Sequence, residues 1–156
     1  MKRSPLILTL GDVPGIGAAL ERGAFSGRTE ARIALVGRSN VGKSSLINAL
    51  LGGRNAHVSS NPGKTRTINF YEWPEEKLIL VDLPGYGYAH ASHHDRAAWG
   101  RFVDAYLKAD PRLLGLLWLL DARHAPVKTA LEAFEFFREL RKPLLAVLTK
   151  ADTLKK

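Results

Sequence analysis

The stretch from Gly37 to Ser44 constrains the fold of this 156-residue chain more than any other feature. It reads Gly-Arg-Ser-Asn-Val-Gly-Lys-Ser, which fits the phosphate-binding pattern of Gly, four residues, Gly, Lys and Ser or Thr. Such a loop joins a buried strand to a helix, and apolar residues at 33–36 and 46–51 predict both elements. The stretch therefore predicts a phosphate site, and a glycine-rich turn that binds nothing is the alternative.

The loop residues have expected roles in phosphate binding. The glycines let successive amides converge on phosphate oxygens, while the helix that follows directs its positive end at the same anion. Lys43 would reach the β and γ phosphates, and the Ser44 hydroxyl would ligate Mg²⁺. The residues predicted to hold the phosphates are Gly37, Arg38, Ser39, Asn40, Val41, Gly42, Lys43 and Ser44.

Strand and helix patterns alternate from residue 31 onward, which is typical of a mainly parallel sheet covered on both faces. We therefore expect a three-layer α/β fold with one antiparallel edge strand. Residues 1–30 are predicted to be an N-terminal lead-in segment, and 31–156 the domain. The predicted strands are 33–36, 67–73, 78–81, 113–120 and 144–148, and the predicted helices are 45–51, about 95–108, and one that starts at Pro126 with Val127, Ala130, Leu131, Phe134 and Phe137 on one face.

The composition narrows the classes of partner. A formal net charge of +8 favours a polyanion such as RNA, although a basic surface that binds nothing remains the alternative. The chain has no cysteine, so disulfides and thiolate metal sites are excluded. The apolar run at 6–10 is too short for a signal peptide or a membrane span. We expect a cytoplasmic protein without a membrane partner.

Asp82 ends the apolar run at 78–81 and opens the sequence Asp82-Leu83-Pro84-Gly85. Ligands of open α/β sheets bind at the carboxyl ends of the strands, so this aspartate is expected beside the phosphate loop. Its carboxylate can hold Mg²⁺ through water, and the Gly85 amide can meet the γ phosphate. The alternative is an aspartate that caps the next helix.

Thr149, Lys150 and Asp152 follow the last predicted strand at the same edge. A carboxylate there can accept two N–H bonds from guanine, whereas adenine offers no donors at that position and would leave Asp152 unpaired. These residues therefore predict guanine binding, with GTP and GDP as ligands. A plain basic tail and an ATP-using enzyme are the alternatives.

These motifs stand in the order of a GTPase domain, and the chain resembles the EngB (YihA-type) group of bacterial GTPases, within the TrmE-Era-EngA-EngB-Septin-like P-loop GTPases. The segments that carry the resemblance are 37–48, 62–65, 82–88, 121–124 and 149–152. It implies a G-domain fold and a GTP-hydrolysing switch in assembly of the large ribosomal subunit, with links to the cell cycle and division septum assembly. The implied partner is ribosomal RNA or a large-subunit assembly intermediate.

The resemblance also implies roles for single residues. Thr65 would be the switch threonine that senses Mg²⁺ and the γ phosphate, with Thr67 as the alternative, and the residues that carry hydrolysis would be Lys43, Thr65 and Gly85. The Mg²⁺ set would be Ser44, Thr65 and Asp82. The phosphate set would extend to Ser45, Gly63, Lys64, Thr65, Asp82, Leu83, Pro84 and Gly85.

Position 86 departs from the Ras-like pattern, because a tyrosine stands where Ras-like enzymes use glutamine to orient the attacking water. We therefore expect slow intrinsic hydrolysis. Related GTPases without that glutamine can use K⁺ held by a P-loop asparagine, so Asn40 makes K⁺ a further candidate cofactor. GTP would order loops 54–66 and 85–95, and we expect Lys64, Arg66 and Arg96 to contact the ribosome.

Members of the group continue past the guanine motif with another strand and helix, which this chain is expected to lack. Residues 144–148 would then form an exposed apolar edge strand that favours self-association of an otherwise monomeric protein. The alternative function is a basic RNA- or ribosome-binding assembly module with weak or no nucleotide turnover.

Overall fold

The computed structural model describes residues 6–22, 31–53, 67–86, 92–125 and 128–154. Its strands are β1 (Ile7–Leu8), β2 (Ala31–Gly37), β3 (Ile68–Trp73), β4 (Leu78–Asp82), β5 (Leu113–Asp121) and β6 (Leu144–Thr149). Its helices are α1 (Ile16–Arg22), α2 (Lys43–Leu51), α3 (His93–Ala109) and α4 (Lys128–Glu139). Short 3₁₀ turns lie at Leu10–Gly15, Pro74–Glu76 and Ala151–Thr153.

The strands form one sheet in the order β1-β3-β4-β2-β5-β6. β4, β2, β5 and β6 run parallel to one another, and β3 is antiparallel to both β1 and β4. The predicted α/β fold with one antiparallel strand is thereby confirmed. The prediction that this strand lies at the edge was wrong, because the buried Leu8 and its neighbour Ile7 pair with Ile68 and Asn69 outside it.

Two apolar clusters on opposite faces of the sheet make the three layers. Along β2, Ala34 and Val36 belong to the larger cluster, which also holds side chains of α1, α3 and α4. Leu35 lies between them and belongs to the smaller cluster, which holds Ile47 of α2. Successive strand side chains point to opposite faces, so a strand buried on both faces needs an unbroken apolar run.

The lead-in segment shares this core. β1 joins the sheet, and Leu20 of α1 is buried in the larger cluster. The domain boundary at residue 30 stays a prediction.

The buried face of α4 differs from the predicted one. Ala130, Ala133 and Phe137 are buried, whereas Leu131 is 56% exposed. The buried positions repeat every three to four residues, so the neighbour of Ala130 is rotated by about 100° away from them. The prediction that Leu131 shares the core face was therefore wrong, and Val127 lies outside the described residues.

A buried ion pair joins the start of β2 to the end of α3. Arg32 donates to Asp110 Oδ2 at 2.8 Å, and both side chains are almost fully buried. The Tyr106 hydroxyl donates to the same oxygen at 2.8 Å. Burial, followed by the nearby Asp110 charge, raises the Tyr106 pKa well above its ordinary value. Asp110 is therefore the common acceptor of two buried donors, and its loss would leave both of them without this partner.

β6 lies at the other edge of the sheet, and its apolar side chains are partly open to solvent. Leu145 is 62% exposed and Leu148 is 65% exposed. Among the described residues, β6 therefore forms the exposed apolar edge that its sequence predicts. None of the helices that the structure describes is long and apolar enough to cross a membrane.

Candidate functional site

The loop between β2 and α2 curls tightly around a buried valine. Asn40 and Gly42 have positive φ angles of 64° and 109°, which asparagine and glycine adopt more readily than other residues. Val41 is buried, and a Cβ at Gly37 would lie 2.7 Å from Val41 Cγ1 and 3.1 Å from the Leu119 carbonyl oxygen. The first glycine of the motif is therefore required by close packing, and the second by its backbone conformation.

Lys43 and Asp82 form an ion pair at the carboxyl ends of β2 and β4. Lys43 Nζ lies 3.3 Å from Asp82 Oδ1, and both side chains are mostly buried. Burial raises the pKa of the Asp82 carboxyl, and Lys43 partly opposes that shift. Burial and the Asp82 carboxylate raise the pKa of Tyr71 to about 12, so this phenol stays neutral beside the pair.

The same residues fit a magnesium ion. Asp82 Oδ1 is buried, and the Lys43 ammonium at 3.3 Å is its one charged partner among the described residues, so it has a further lone pair to give. Ser44 adds a hydroxyl in the first turn of α2. Oxygen ligands of this kind suit Mg²⁺, which is usually held by one or two protein groups together with substrate phosphates and water. The third predicted ligand, Thr65, lies outside the described residues.

The segment after β4 runs along the phosphate loop. The Tyr86 amide donates to the Gly37 carbonyl at 3.1 Å, and the Ser39 amide donates to the Tyr86 carbonyl at 3.1 Å. Between these bonds, a Cβ at Gly85 would lie 2.9 Å from Ser39 N and 3.0 Å from Ser39 Oγ. Only glycine fits this gap, and the predicted γ-phosphate residue therefore lies directly against the loop.

The Tyr86 side chain is part of the core. Its hydroxyl accepts a hydrogen bond from Trp118 Nε1 at 2.7 Å, and its ring meets the edge of Trp99 at a centroid distance of 5.9 Å. Burial is the main cause that raises the Tyr86 pKa. A phenol enclosed in this way cannot reach out to orient a water molecule at a bound phosphate.

The predicted guanine motif is hydrogen-bonded to the phosphate loop. Thr149 Oγ1 donates to the Val41 carbonyl at 2.7 Å, with the Leu120 carbonyl at 3.2 Å, and Lys150 Nζ donates to the Asn40 carbonyl at 2.9 Å. Asp152 is exposed in the turn that follows. The side chains of Thr149 and Lys150 thus brace the loop, while the carboxylate is open to a ligand.

Asp121 is a residue whose role the sequence did not reveal. Its carboxylate accepts from Arg123 Nε at 3.0 Å and from an Arg123 terminal nitrogen at 2.8 Å, and it lies 3.7 Å from Lys150 Nζ. The hydrogen bond from Arg123 is the main cause that holds the Asp121 pKa well below its ordinary value. Its position at the carboxyl end of the strand beside β6 is the signal that could have identified it.

Some of the remaining predicted site residues lie in the described part of the structure, and others lie outside it. Asn40 is exposed on the loop, and Ser45 is exposed in the first turn of α2. Leu83 and Pro84 are buried before Gly85. Thr67, the alternative switch threonine, accepts a hydrogen bond from Asn69 Nδ2 at 3.2 Å. The residues that lie outside the described ranges are Gly63, Lys64, Thr65 and Arg66.

Similar proteins share both the sequence and the fold. Residues 32–150 match the family model described as 50S ribosome-binding GTPase. A probable GTP-binding protein EngB from Lactiplantibacillus plantarum is 50% identical over 123 residues, which are 78% of this chain and 62% of that protein. An EngB relative from Lactobacillus acidophilus is 50% identical over 125 residues, which are 80% of this chain and 63% of the relative. The chain thus spans somewhat less than two thirds of the length of these relatives.

Solved structures agree with these matches. A crystal structure of a probable GTP-binding protein engB matches with a TM-score of 0.63 at 26% identity, and the match covers 81% of this chain and 74% of that protein chain. A variant of Aquifex aeolicus Era bound to GDP.AlF4- also matches with a TM-score of 0.63, at 28% identity, and this match covers 80% of this chain and 42% of the Era chain. The fold is that of a P-loop GTPase domain, and the resemblance to EngB is confirmed. The chain belongs to the 50S ribosome-binding GTPase family.

Proposed function

We propose that this chain binds GTP and GDP, hydrolyses GTP slowly, and acts as a cytoplasmic switch in assembly of the large ribosomal subunit. The observation that carries this proposal is that the predicted guanine motif is hydrogen-bonded to the phosphate loop. Thr149 and Lys150 donate hydrogen bonds to Val41 and Asn40, while Asp152 stays exposed at the same edge. A ligand that carries both a guanine and phosphates would therefore contact one connected unit.

The charges at the loop support phosphoryl transfer. Lys43 would leave its ion pair with Asp82 for the β and γ phosphates, and Asp82 with Ser44 and Thr65 would hold Mg²⁺. A bound Mg²⁺ neutralises charge on the phosphate oxygens. The Gly85 amide would donate to the γ phosphate. Catalysis of this kind depends on positioning and on charge stabilisation more than on covalent chemistry.

Slow hydrolysis follows from the burial of Tyr86. Its hydroxyl is engaged with Trp118, and so this side chain leaves the attacking water without the group that Ras-like enzymes place there. K⁺ at Asn40 would add positive charge near the phosphates. Equal hydrolysis rates in K⁺ and Na⁺ buffers would remove that role.

Calorimetric titration tests the nucleotide proposal. The chain is titrated with GDP, with a non-hydrolysable GTP analogue and with ADP, in K⁺ buffer that contains Mg²⁺. We expect micromolar binding of both guanine nucleotides and none of ADP, and we expect Lys43→Ala to lose the binding. Binding of ADP as tight as that of GDP would favour an ATP-using enzyme, and no binding by a folded chain would contradict the proposal.

The net charge of +8 supports a second candidate, an RNA- or ribosome-binding assembly module without nucleotide turnover. Large ribosomal subunits are sedimented with the chain at increasing salt, with GDP or the GTP analogue. A switch binds the subunits more tightly with the GTP analogue than with GDP, whereas the module binds them equally with both and loses affinity steeply with salt.

The proposed switch function includes links to the cell cycle and to division septum assembly. Depletion of the protein in cells, followed by microscopy of the division septum, tests these links.

A further inference from the structure

Gly85 lies between two residues that are each hydrogen-bonded to a tryptophan. The Pro84 carbonyl accepts from Trp99 Nε1 at 2.7 Å, and the Tyr86 hydroxyl accepts from Trp118 Nε1 at 2.7 Å. The two indoles come from different elements, since Trp99 belongs to α3 and Trp118 to β5. We call Trp99 and Trp118 the indole pair.

The phosphate loop encloses Gly85 from another side. A Cβ at Gly85 would lie within 3.0 Å of Ser39, and the next residue, Tyr86, is held by backbone hydrogen bonds with Gly37 and Ser39. Among the described residues, the structure shows no hydrogen bond from the Gly85 amide itself. This amide is therefore a donor at the edge of the phosphate loop whose neighbours are held on both sides.

The contact of Trp118 with Tyr86 is buried, and that of Trp99 with Pro84 is partly buried. Trp118 and Tyr86 are each 7% exposed, and Phe134 stacks on Trp118 with centroids 5.7 Å apart. A buried indole N–H that lost its acceptor would pay the full cost of desolvation, so these hydrogen bonds do not exchange freely with water. The edge-to-face contact with Trp99 limits the movement of Tyr86 further.

We infer that Trp99 and Trp118 are positioning residues for the terminal phosphate of GTP, because they fix Pro84 and Tyr86 and so hold the Gly85 amide at the phosphate loop. The inference deepens the proposed function and rests on it. An amide that is held in place can donate to the phosphate in every molecule. If the amide moves among several positions, only the fraction of molecules in which it points at the phosphate binds GTP, and the apparent affinity for GTP falls by that fraction. GDP lacks the γ phosphate, so disorder at Gly85 weakens GTP binding and leaves GDP binding unchanged.

Tyr86→Phe and Trp99→Phe test this inference. The first removes one hydroxyl and the second one N–H donor, and both keep an aromatic ring in place. Affinities for GDP and for a non-hydrolysable GTP analogue are measured by calorimetry with Mg²⁺. We expect each variant to bind the analogue roughly threefold to tenfold more weakly, as the loss of one hydrogen bond would allow, and GDP within twofold of the unmodified chain.

Tyr106→Phe is the matched control. It removes the hydroxyl of another buried tyrosine, which donates a hydrogen bond to Asp110. Asp110 lies near the amino ends of β2 and β5, whereas Gly85 follows the carboxyl end of β4. Tyr106→Phe should lower the free energy of unfolding without changing the ratio of the two affinities. This control separates a general loss of stability from a loss at Gly85.

The outcomes distinguish this inference from the proposed function. If the unmodified chain binds neither nucleotide, the proposed function fails and the inference fails with it. If it binds both, but Tyr86→Phe and Trp99→Phe weaken them equally or not at all, only the inference is overturned. Should Tyr86→Phe not fold, Trp99→Phe alone decides, since the half-buried Trp99 acts on the other side of Gly85.

Discussion

Single residues at the carboxyl edge of the sheet carry the specificity expected of this protein. Lys43 and Asp82 form an ion pair, and a bound phosphate or Mg²⁺ would compete for each of them. Asp152 is different, because it is exposed and has room for a base. Phosphate affinity and base selectivity should therefore respond to different substitutions.

Asp152→Asn should exchange guanine for xanthine. In the proposed site the carboxylate would accept N–H bonds from guanine, whereas an amide could donate to the carbonyl that xanthine carries at the same place. We expect GDP binding to fall by about 100-fold and xanthosine diphosphate binding to rise in its place. Competition of the two nucleotides against a fluorescent GDP measures this exchange, with Asp121→Asn as control. Retention of GDP selectivity in the Asp152→Asn variant would remove Asp152 from the base site.

Arg32→Ala should destabilise the protein severely. The substitution leaves Asp110 and the Tyr106 hydroxyl in the core without their cation, which typically costs about 3–5 kcal/mol. Urea unfolding followed by fluorescence measures the change in the free energy of unfolding. Arg138→Ala is the control, because its exposed ion pair with Glu135 should contribute less than about 1 kcal/mol. Similar losses in the two variants would contradict this account.

The elements meet so closely in places that backbone contacts decide their spacing. β5 and β6 are parallel neighbours, and Gly115 of β5 faces the turn that precedes β6. A Cβ at Gly115 would lie 2.8 Å from the Pro143 carbonyl oxygen and 3.3 Å from Pro143 Cβ. A backbone oxygen cannot move away as the end of a side chain can, so this glycine sets the distance between the two elements.

Gly115→Ala and Gly100→Ala form a pair with opposite expected signs. Gly115→Ala should lower the free energy of unfolding by about 1–3 kcal/mol, because β5 and β6 must separate to admit the methyl group. Gly100 lies within α3, and a Cβ there meets nothing within 4 Å. Gly100→Ala should therefore stabilise the protein by about 0.5–1 kcal/mol through helix propensity. Urea unfolding compares both variants, and equal effects would contradict the packing argument.

The whole molecule has an asymmetric sheet. At one edge β3 is partly covered by β1, whereas at the other edge β6 exposes both backbone groups and leucine side chains among the described residues. Exposed apolar edge strands readily pair with another strand. A second copy of the chain offers such a strand.

Self-association through β6 should depend on its leucines. We expect the mass measured by light scattering to rise with concentration for the unmodified chain, and to stay at the monomer value for Leu145→Lys combined with Leu148→Lys. Added lysines repel each other across a paired edge and are common on natural edge strands. Leu114→Lys is the control, since Leu114 is 57% exposed but lies on β5. A mass that does not change with concentration in any variant would show that the edge does not pair.

The sequence by itself determined the elements and the residues at their ends. The spacing of glycines, lysine and serine located the phosphate loop. Unbroken apolar runs located β2, β4 and β5, because burial on both faces requires them. Asp82 and Thr149 were placed at one edge because the ends of parallel strands share it. These features are local, and local periodicity reports them.

Only the tertiary structure decided which distant side chains meet. Arg32 pairs with Asp110, and Thr149 and Lys150 donate hydrogen bonds to the phosphate loop. Tyr86 turns inward to Trp118, which its place after Gly85 in the sequence does not reveal. The outward position of Leu131 likewise depends on how α4 lies on the sheet. Such contacts join residues far apart in the chain, and no pattern within either segment encodes its partner. They are fixed instead by how the layers pack and by the need of most buried polar groups for a hydrogen-bond partner.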